Sequence, residues 1–434
     1  MKTKSKMILM GLLTIMILLI TTTATFCTQL SETATWTRLE GVAEKLSMGN
    51  DVAVDKNGNS YMVGGIQEEA IGSVAFVSKY AANGSKLWTK KLGGDSNSTV
   101  ASGVALDSAG NCYVVGGTDE VKLDEIKITG FRDTFIVKYK PNGTKEWLKL
   151  EGVYAAYNYC MDIAIDKSDN FYIVGYINKD FKNQVLKGSQ DLYISKYNSA
   201  GTHQWTQLLG AKKSVTNATR LVVDNKSNIY VAGITNGNLD GQNIKIPTDG
   251  LIVKYDSNGN KKWTRLIGAV GTGEEYAYAG SIAVDSNGNC FITGDIDGQI
   301  DGKAKIGSID TVIIAYTPDG NKLWSKLLGV KKEIVFNTEI VIDSLNNLYI
   351  SGTTTGKLGE NQIGEWDGFV AKYNADSKEE WIKQFGVAGG DVGNTGIALD
   401  KNNLLYVVGS TDTALDGQSK IGLYDAFITT YFNK

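Results

Sequence analysis

At 434 residues the chain is long enough for one large repeat array or for two to three ordinary domains. Its 42% apolar content supports a packed core, while 21% charged residues and a net charge of −3 exclude a disordered polyelectrolyte and a global basic field for nucleic acid. Fifty glycines beside three prolines exclude collagen and proline-rich linkers, and suit many tight hairpins.

The first predicted element is a leader. Lys2, Lys4 and Lys6 precede an uncharged apolar run, residues 7–20, and then the small and polar stretch TTTATF. This is the pattern of a secretory signal, so residues 1–26 are read as a signal peptide cleaved after Ala24. The rival is an uncleaved membrane anchor, since residues 7–26 carry no charge. Either way the chain is expected to be secreted or at a cell surface, touching a membrane only through this segment if it is retained. Residues 27–34 form a short linker, and 35–434 form the folded body.

That body repeats one unit of four short apolar segments. The first ends in Asp, at Asp55, Asp107, Asp166, Asp224, Asp285, Asp343 and Asp400. Val, Ile, Leu and Ala occupy consecutive positions there, as in a strand buried on both faces. Turns such as DKNGN and DSNGN follow, in which the Asp carboxylate caps the turn and Gly or Asn accepts positive φ. The second segment carries an aromatic residue and ends in Gly, as in YMVG at Gly64 and YVVG at Gly409. The third and fourth form the hairpin LIVKYDSNGNKKW, residues 251–263, which recurs in six intact copies with Tyr and Trp always eight residues apart.

Two hairpins per unit predict a four-stranded antiparallel sheet, and sheets buried on both faces stack radially. The fold class is therefore all-β, a seven-bladed β-propeller. Its blades fall at about 49–93, 101–152, 160–210, 218–268, 279–329, 337–386 and 394–434 plus 35–40. Trp36 has no KY-type strand before it and Tyr431 has no Trp strand after it. The N-terminal strand is therefore expected to complete the last blade and close the ring.

The segments LDGQSKIGLYDAFITTY, DGFVAKY and IAVDSNGNCFITG resemble the bacterial SBBP repeat, a seven-bladed β-propeller repeat of secreted and surface proteins. The resemblance implies the fold. It transfers no catalytic residues, because the family is defined by its repeat. The first blade departs from the pattern: Gly64 and Phe76 are 12 residues apart where other blades use 17 to 19, and no Asp stands two before Phe76.

Candidate sites lie where the repeats disagree. Loops between blades hold Tyr154, Tyr157 and Tyr159 in one case, and Glu274, Glu275, Tyr276 and Tyr278 in another. Aromatic rings with acidic neighbours suit sugar stacking with hydroxyl hydrogen bonds, against the plainer reading of tyrosines packed at blade tops. GDIDGQIDG offers Asp295, Asp297 and Asp301 as the best calcium ligands, and no other cofactor is expected. Cys112, Cys160 and Cys290 read as small buried hydrophobes. The sole histidine, His203, is expected to be solvated in a hairpin turn, which leaves no Ser-His or Cys-His pair. The body is thus expected to be a monomeric, non-catalytic binding or scaffold module for carbohydrate or a surface protein, with no nucleic-acid partner. The alternative is an extracellular hydrolase or lyase acting on polysaccharide through carboxylates in the central channel.

Overall fold

The computed structural model describes residues 34–67, 72–94, 97–270, 275–359 and 362–431. The leader and Glu274 lie outside these. Seven four-stranded antiparallel sheets are arranged as blades. Their inner strands are Ser47–Val54, Thr99–Leu106, Asn158–Ile165, Thr216–Val223, Ser281–Val284, Val335–Ile342 and Val392–Leu399. Second and third strands are almost wholly buried, as at Asp249–Tyr255, because each blade face is covered by a neighbour. The seventh blade takes its outer strand, Trp36–Glu40, from the start of the chain, in register from Trp36 opposite Thr430 to Glu40 opposite Ala426.

The glycine closing each second strand is fixed by a feature of the inner strand that the sequence reading lacks. Six inner strands carry a β-bulge opposite it, as between Gly49 and Asp51. The bulge pushes a carbonyl toward the second strand, so a Cβ at Gly64 would lie 1.9 Å from Met48 O, and at Gly175 1.8 Å from Tyr159 O. No side chain fits there. The extra residue also turns the following side chain into the channel.

Neighbouring blades are joined where the third-to-fourth turn of one meets the Trp of the blade before it. Lys254 Nζ and Trp263 Nε1 both donate to Pro318 O, at 2.9 Å each. Lys196 and Trp205 converge likewise on Ser257 O, and Lys79 and Trp88 on Pro141 O. The turn glycine lets the indole approach: Gly259 has φ +82°, and a Cβ there would lie 3.0 Å from the Trp205 ring. Most of these tryptophans are half-buried, and Trp381 is buried. The strand-end aspartates cap their turns, with Asp55 Oδ1 accepting from Asn57 N and Asn59 N.

A second buried carboxylate organises the opposite end of six blades. Asp133, Asp191, Asp249, Asp310, Asp367 and Asp425 are fully buried and accept from loop N–H groups three or four residues upstream, as Asp133 does from Thr129 and Gly130. The first blade has Val74 at this place. There Glu120, from the next blade's loop, accepts from Gly94 N and Asn97 N in the loop between the two blades.

Candidate functional site

The bulges create a ring inside the channel. Asp51, Gly103, Asp162, Arg220, Glu339 and Gly396 follow the bulges, and Ser281 opens the inner strand of the fifth blade at the matching place. A cavity of about 390 Å³ is lined by Asp51, Asp162 and Glu339 among Val, Ile, Leu and Ala side chains. Burial raises all three carboxyls above the ordinary carboxylate range, and Arg220 opposes the shift in each. Burial alone would lower Arg220, but Asp162, Glu339 and Asp51 outweigh it and raise the guanidinium above its usual value.

These carboxylates are occupied by backbone. Asp51 accepts from Val52 N and, across the blade gap, from Val104 N, both at 2.8 Å. Asp162 repeats this with Ile163 N and Leu221 N. Glu339 Oε2 accepts from Ile397 N at 2.7 Å, and its Oε1 faces Arg220 Nε at 3.8 Å. The glycines in the ring keep room for their neighbours, since a Cβ at Gly396 would lie 3.2 Å from Glu339 Oε2. This ring is not among the sites expected from sequence. A signal was present: four residues before each strand-end Asp, where an apolar residue would continue the strand, every repeat has Asp, Gly, Asp, Arg, Ser, Glu or Gly.

The channel mouth on the loop side is asymmetric. The inner-strand positions there are Met48, Val100, Tyr159, Asn217, Tyr278, Phe336 and Gly393. Tyr159 stacks on Tyr176 of the second strand, with ring centroids 4.8 Å apart, and Tyr157 lies 6.4 Å beyond at an interplanar angle of 18°. Phe131 continues the row, 5.3 Å from Tyr157. The Arg132 guanidinium sits 5.0 Å over Tyr159. Phe131, Arg132 and Tyr176 were not singled out in the sequence. Phe131 N and Asn158 N exchange backbone hydrogen bonds with Ala156 O and Arg132 O, which brings the two loops together.

Of the residues expected from sequence, Tyr157 and Tyr159 share this ladder. Tyr154 stands apart and is 81% exposed, with Lys179 donating to its carbonyl oxygen. Tyr276 and Tyr278 occupy the matching places in the fifth blade. Burial raises the Tyr278 phenol, Arg220 opposes this, and Asp295 adds to it. Glu275 packs against Gly298, where a Cβ would lie 3.2 Å from its Cγ. Glu274 falls outside the described residues.

Asp295, Asp297 and Asp301 are close in sequence but turn to different partners. Asp295 Oδ1 accepts from Asn337 N at 2.7 Å, Asp297 pairs with Lys305, and Asp301 pairs with Lys322 at 2.5 Å. Among the described residues no three His, Cys, Asp or Glu side chains come together to hold a metal ion. Asp295 is a partly buried carboxyl pushed up to about 7 by loss of solvent. The expectation for His203 is corrected. It is partly buried on an outer strand, packs edge-on against Tyr197 at 5.4 Å and bonds Thr206, and burial lowers its pKa. Cys112, Cys160 and Cys290 are buried free thiols.

Comparison with known proteins supports the architecture. WD repeat-containing protein L264 of Acanthamoeba polyphaga mimivirus, itself uncharacterized, is 23% identical over 443 residues, covering 78% of this chain and 31% of that protein. Regulatory protein FlaEY of Caulobacter vibrioides is 27% identical over 189 residues, covering 40% of this chain and 18% of its own. The chain thus spans less than a third of either relative. Among solved structures, polysaccharide lyase Uly1 superposes with a TM-score of 0.53 at 9% identity, covering 89% of this chain and 90% of that one. A virginiamycin B lyase variant from Staphylococcus aureus gives 0.52 at 9% identity, covering 91% and 99%. At such identities the likeness is one of fold. The β-propeller repeat model named SBBP matches residues 35–65, 87–120, 204–240, 262–300, 323–360 and 380–415. With six matched repeats set in a closed ring of seven blades, the chain belongs to the SBBP β-propeller repeat family.

Proposed function

We propose that this propeller is a non-catalytic binding module, secreted or held at the cell surface, that takes carbohydrate on the loop face of its channel. The observation carrying this reading is the row Phe131, Tyr157, Tyr159 and Tyr176, which runs from an exposed rim into the channel mouth. Rigid rings with polar tips offer apolar area to a sugar face and hydroxyls to its edge, at low entropic cost. Tyr278 lines the same mouth and is 37% exposed.

A hydrolase or lyase acting on polysaccharide is the second reading, favoured by the three raised carboxyls around the channel cavity. Binding fits better, because Asp51 and Asp162 each spend both carboxylate oxygens on backbone N–H groups that hold blades together. A glycan array probed with the full chain and with a Tyr157→Ala, Tyr159→Ala double variant tests the proposal. Wild type should retain a defined set of glycans that the variant loses, with no chain cleavage on incubation. Absence of any glycan binding would remove the carbohydrate reading, and cleavage abolished by Glu339→Gln would establish the second.

A further inference from the structure

We propose that the glycan taken by this ladder is anionic, its carboxylate or sulfate meeting the guanidinium of Arg132. The inference rests on the carbohydrate reading above and adds the charge class of the ligand. The chain has four arginines. Arg265 is committed to backbone, with Nε donating to Gly320 O at 2.6 Å, and Arg38 donates to Thr37 O at 2.6 Å. Arg220 is held within the carboxylate ring. Arg132 differs from all three. Its side chain makes no hydrogen bond with the described residues, and its nearest carboxylate oxygen, on Asp119, is 3.9 Å away, beyond hydrogen-bond reach.

The seat for this side chain is built into the strand beside it. Gly117 lies under the guanidinium, and a Cβ there would come within 2.5 Å of Arg132 Nε. The guanidinium sits over the Tyr159 ring, 5.0 Å from its centroid, beside the rings offered to the sugar. A second cation, Lys179, follows Asn178, whose Oδ1 accepts from Tyr157 N at 2.9 Å. Lys179 Nζ lies 5.9 Å over the Tyr154 ring and donates to the Tyr154 carbonyl at 3.0 Å, so its charge is not consumed by a carboxylate. A cation on the row and a second on the adjoining loop complement a polymer that carries negative charge on its rings. Arginine suits this role because its planar donors match carboxylate and sulfate oxygens in pairs.

The test is retention of the full chain on immobilised polygalacturonate, on dextran sulfate and on neutral dextran, at low and high salt. Retention should favour one acidic polymer over neutral dextran and fall with salt, because the attraction is screened. The acidic polymer retained distinguishes a carboxylate from a sulfate ligand. Arg132→Gln and Lys179→Gln should each weaken that retention, Arg132→Gln by roughly tenfold, about the worth of one charge-assisted hydrogen bond. Lys179→Gln alters a more exposed side chain, so it still reports if Arg132→Gln fails to fold. Equal retention on neutral dextran, with both variants unchanged, would overturn the anionic class and leave glycan binding standing. Absence of retention on every polymer and on a glycan array would overturn the reading beneath it as well.

Discussion

Asp295 shows how a residue can be conspicuous in sequence for one reason and consequential in the fold for another. GDIDGQIDG reads as a cluster of oxygen ligands, but the strand ends at Ile296 and the loop beyond it carries Asp297 and Asp301 to separate lysines, Lys305 and Lys322. What remains is one carboxyl beside Tyr278, holding Asn337 N of the next blade and raised to about 7 by burial. The folded state therefore keeps this proton over a range in which the unfolded chain, with an ordinary carboxyl near 4, has lost it. The contribution of Asp295 to stability is fullest below about pH 4 and declines as pH rises toward 7. Asp295→Asn retains an acceptor for Asn337 and removes the titration. Its stability relative to wild type should rise by about 2 kcal/mol between pH 4 and 8, allowing for the carboxyl's partial solvent contact. Urea midpoints at both pH values measure this, and parallel profiles for the two proteins would refute it.

At the scale of the element, the strand Trp36–Glu40 matters beyond its five residues. Its backbone pairs with the last blade, while its side chains reach into the first. Trp36 Nε1 donates to Ala82 O, Tyr80 donates its hydroxyl proton to Glu40, and Lys86 pairs with the same carboxylate at 2.8 Å. The strand thus repeats at the ring's seam the joint that Trp263 and Pro318 make elsewhere. Deleting residues 34–40 should leave the third strand of the seventh blade with an unpaired edge and lower the melting temperature of the whole propeller by 10 °C or more, on the order expected for loss of several ring-closing hydrogen bonds and a buried aromatic contact. A melting transition matching that of the intact chain would show that the seam is not closed this way. The seam was legible because counting alone exposes it: a Trp strand without its partner begins the chain and a KY-type strand without its partner ends it. The bulges were hidden, because the residues they add, such as Asn50, Ser102 and Thr219, read as the end of the apolar run rather than as an insertion within a strand.

At the scale of the molecule, sequence and structure divide by kind of information. Features repeated in every blade, such as the Asp-capped turns and the Tyr-to-Trp hairpin, were readable because seven copies average out accident. The ring inside the channel was not, because its meaning lies in differences between blades: Asp51, Asp162 and Glu339 set around one Arg220. Each side chain alone looks like an interruption in an apolar strand, and only closure of the ring makes them neighbours. Their energetics follow from that closure. Arg220 is the countercharge that the carboxylates share, although its Nε approaches Glu339 at 3.8 Å without a hydrogen bond. Arg220→Met should therefore leave buried carboxylates uncompensated, at a cost of about 3–5 kcal/mol where they are ionised. The sign with pH follows. Without Arg220 the folded-state carboxyls rise further above their unfolded values, so the variant keeps most of its stability at pH 4, where they are protonated, and loses it as pH rises to 8. Asp162→Asn added to Arg220→Met should restore part of the loss at pH 8 and little at pH 4. Equal destabilisation by Arg220→Met at both pH values would mean that the guanidinium acts by packing, and that the ring is held by its backbone hydrogen bonds alone.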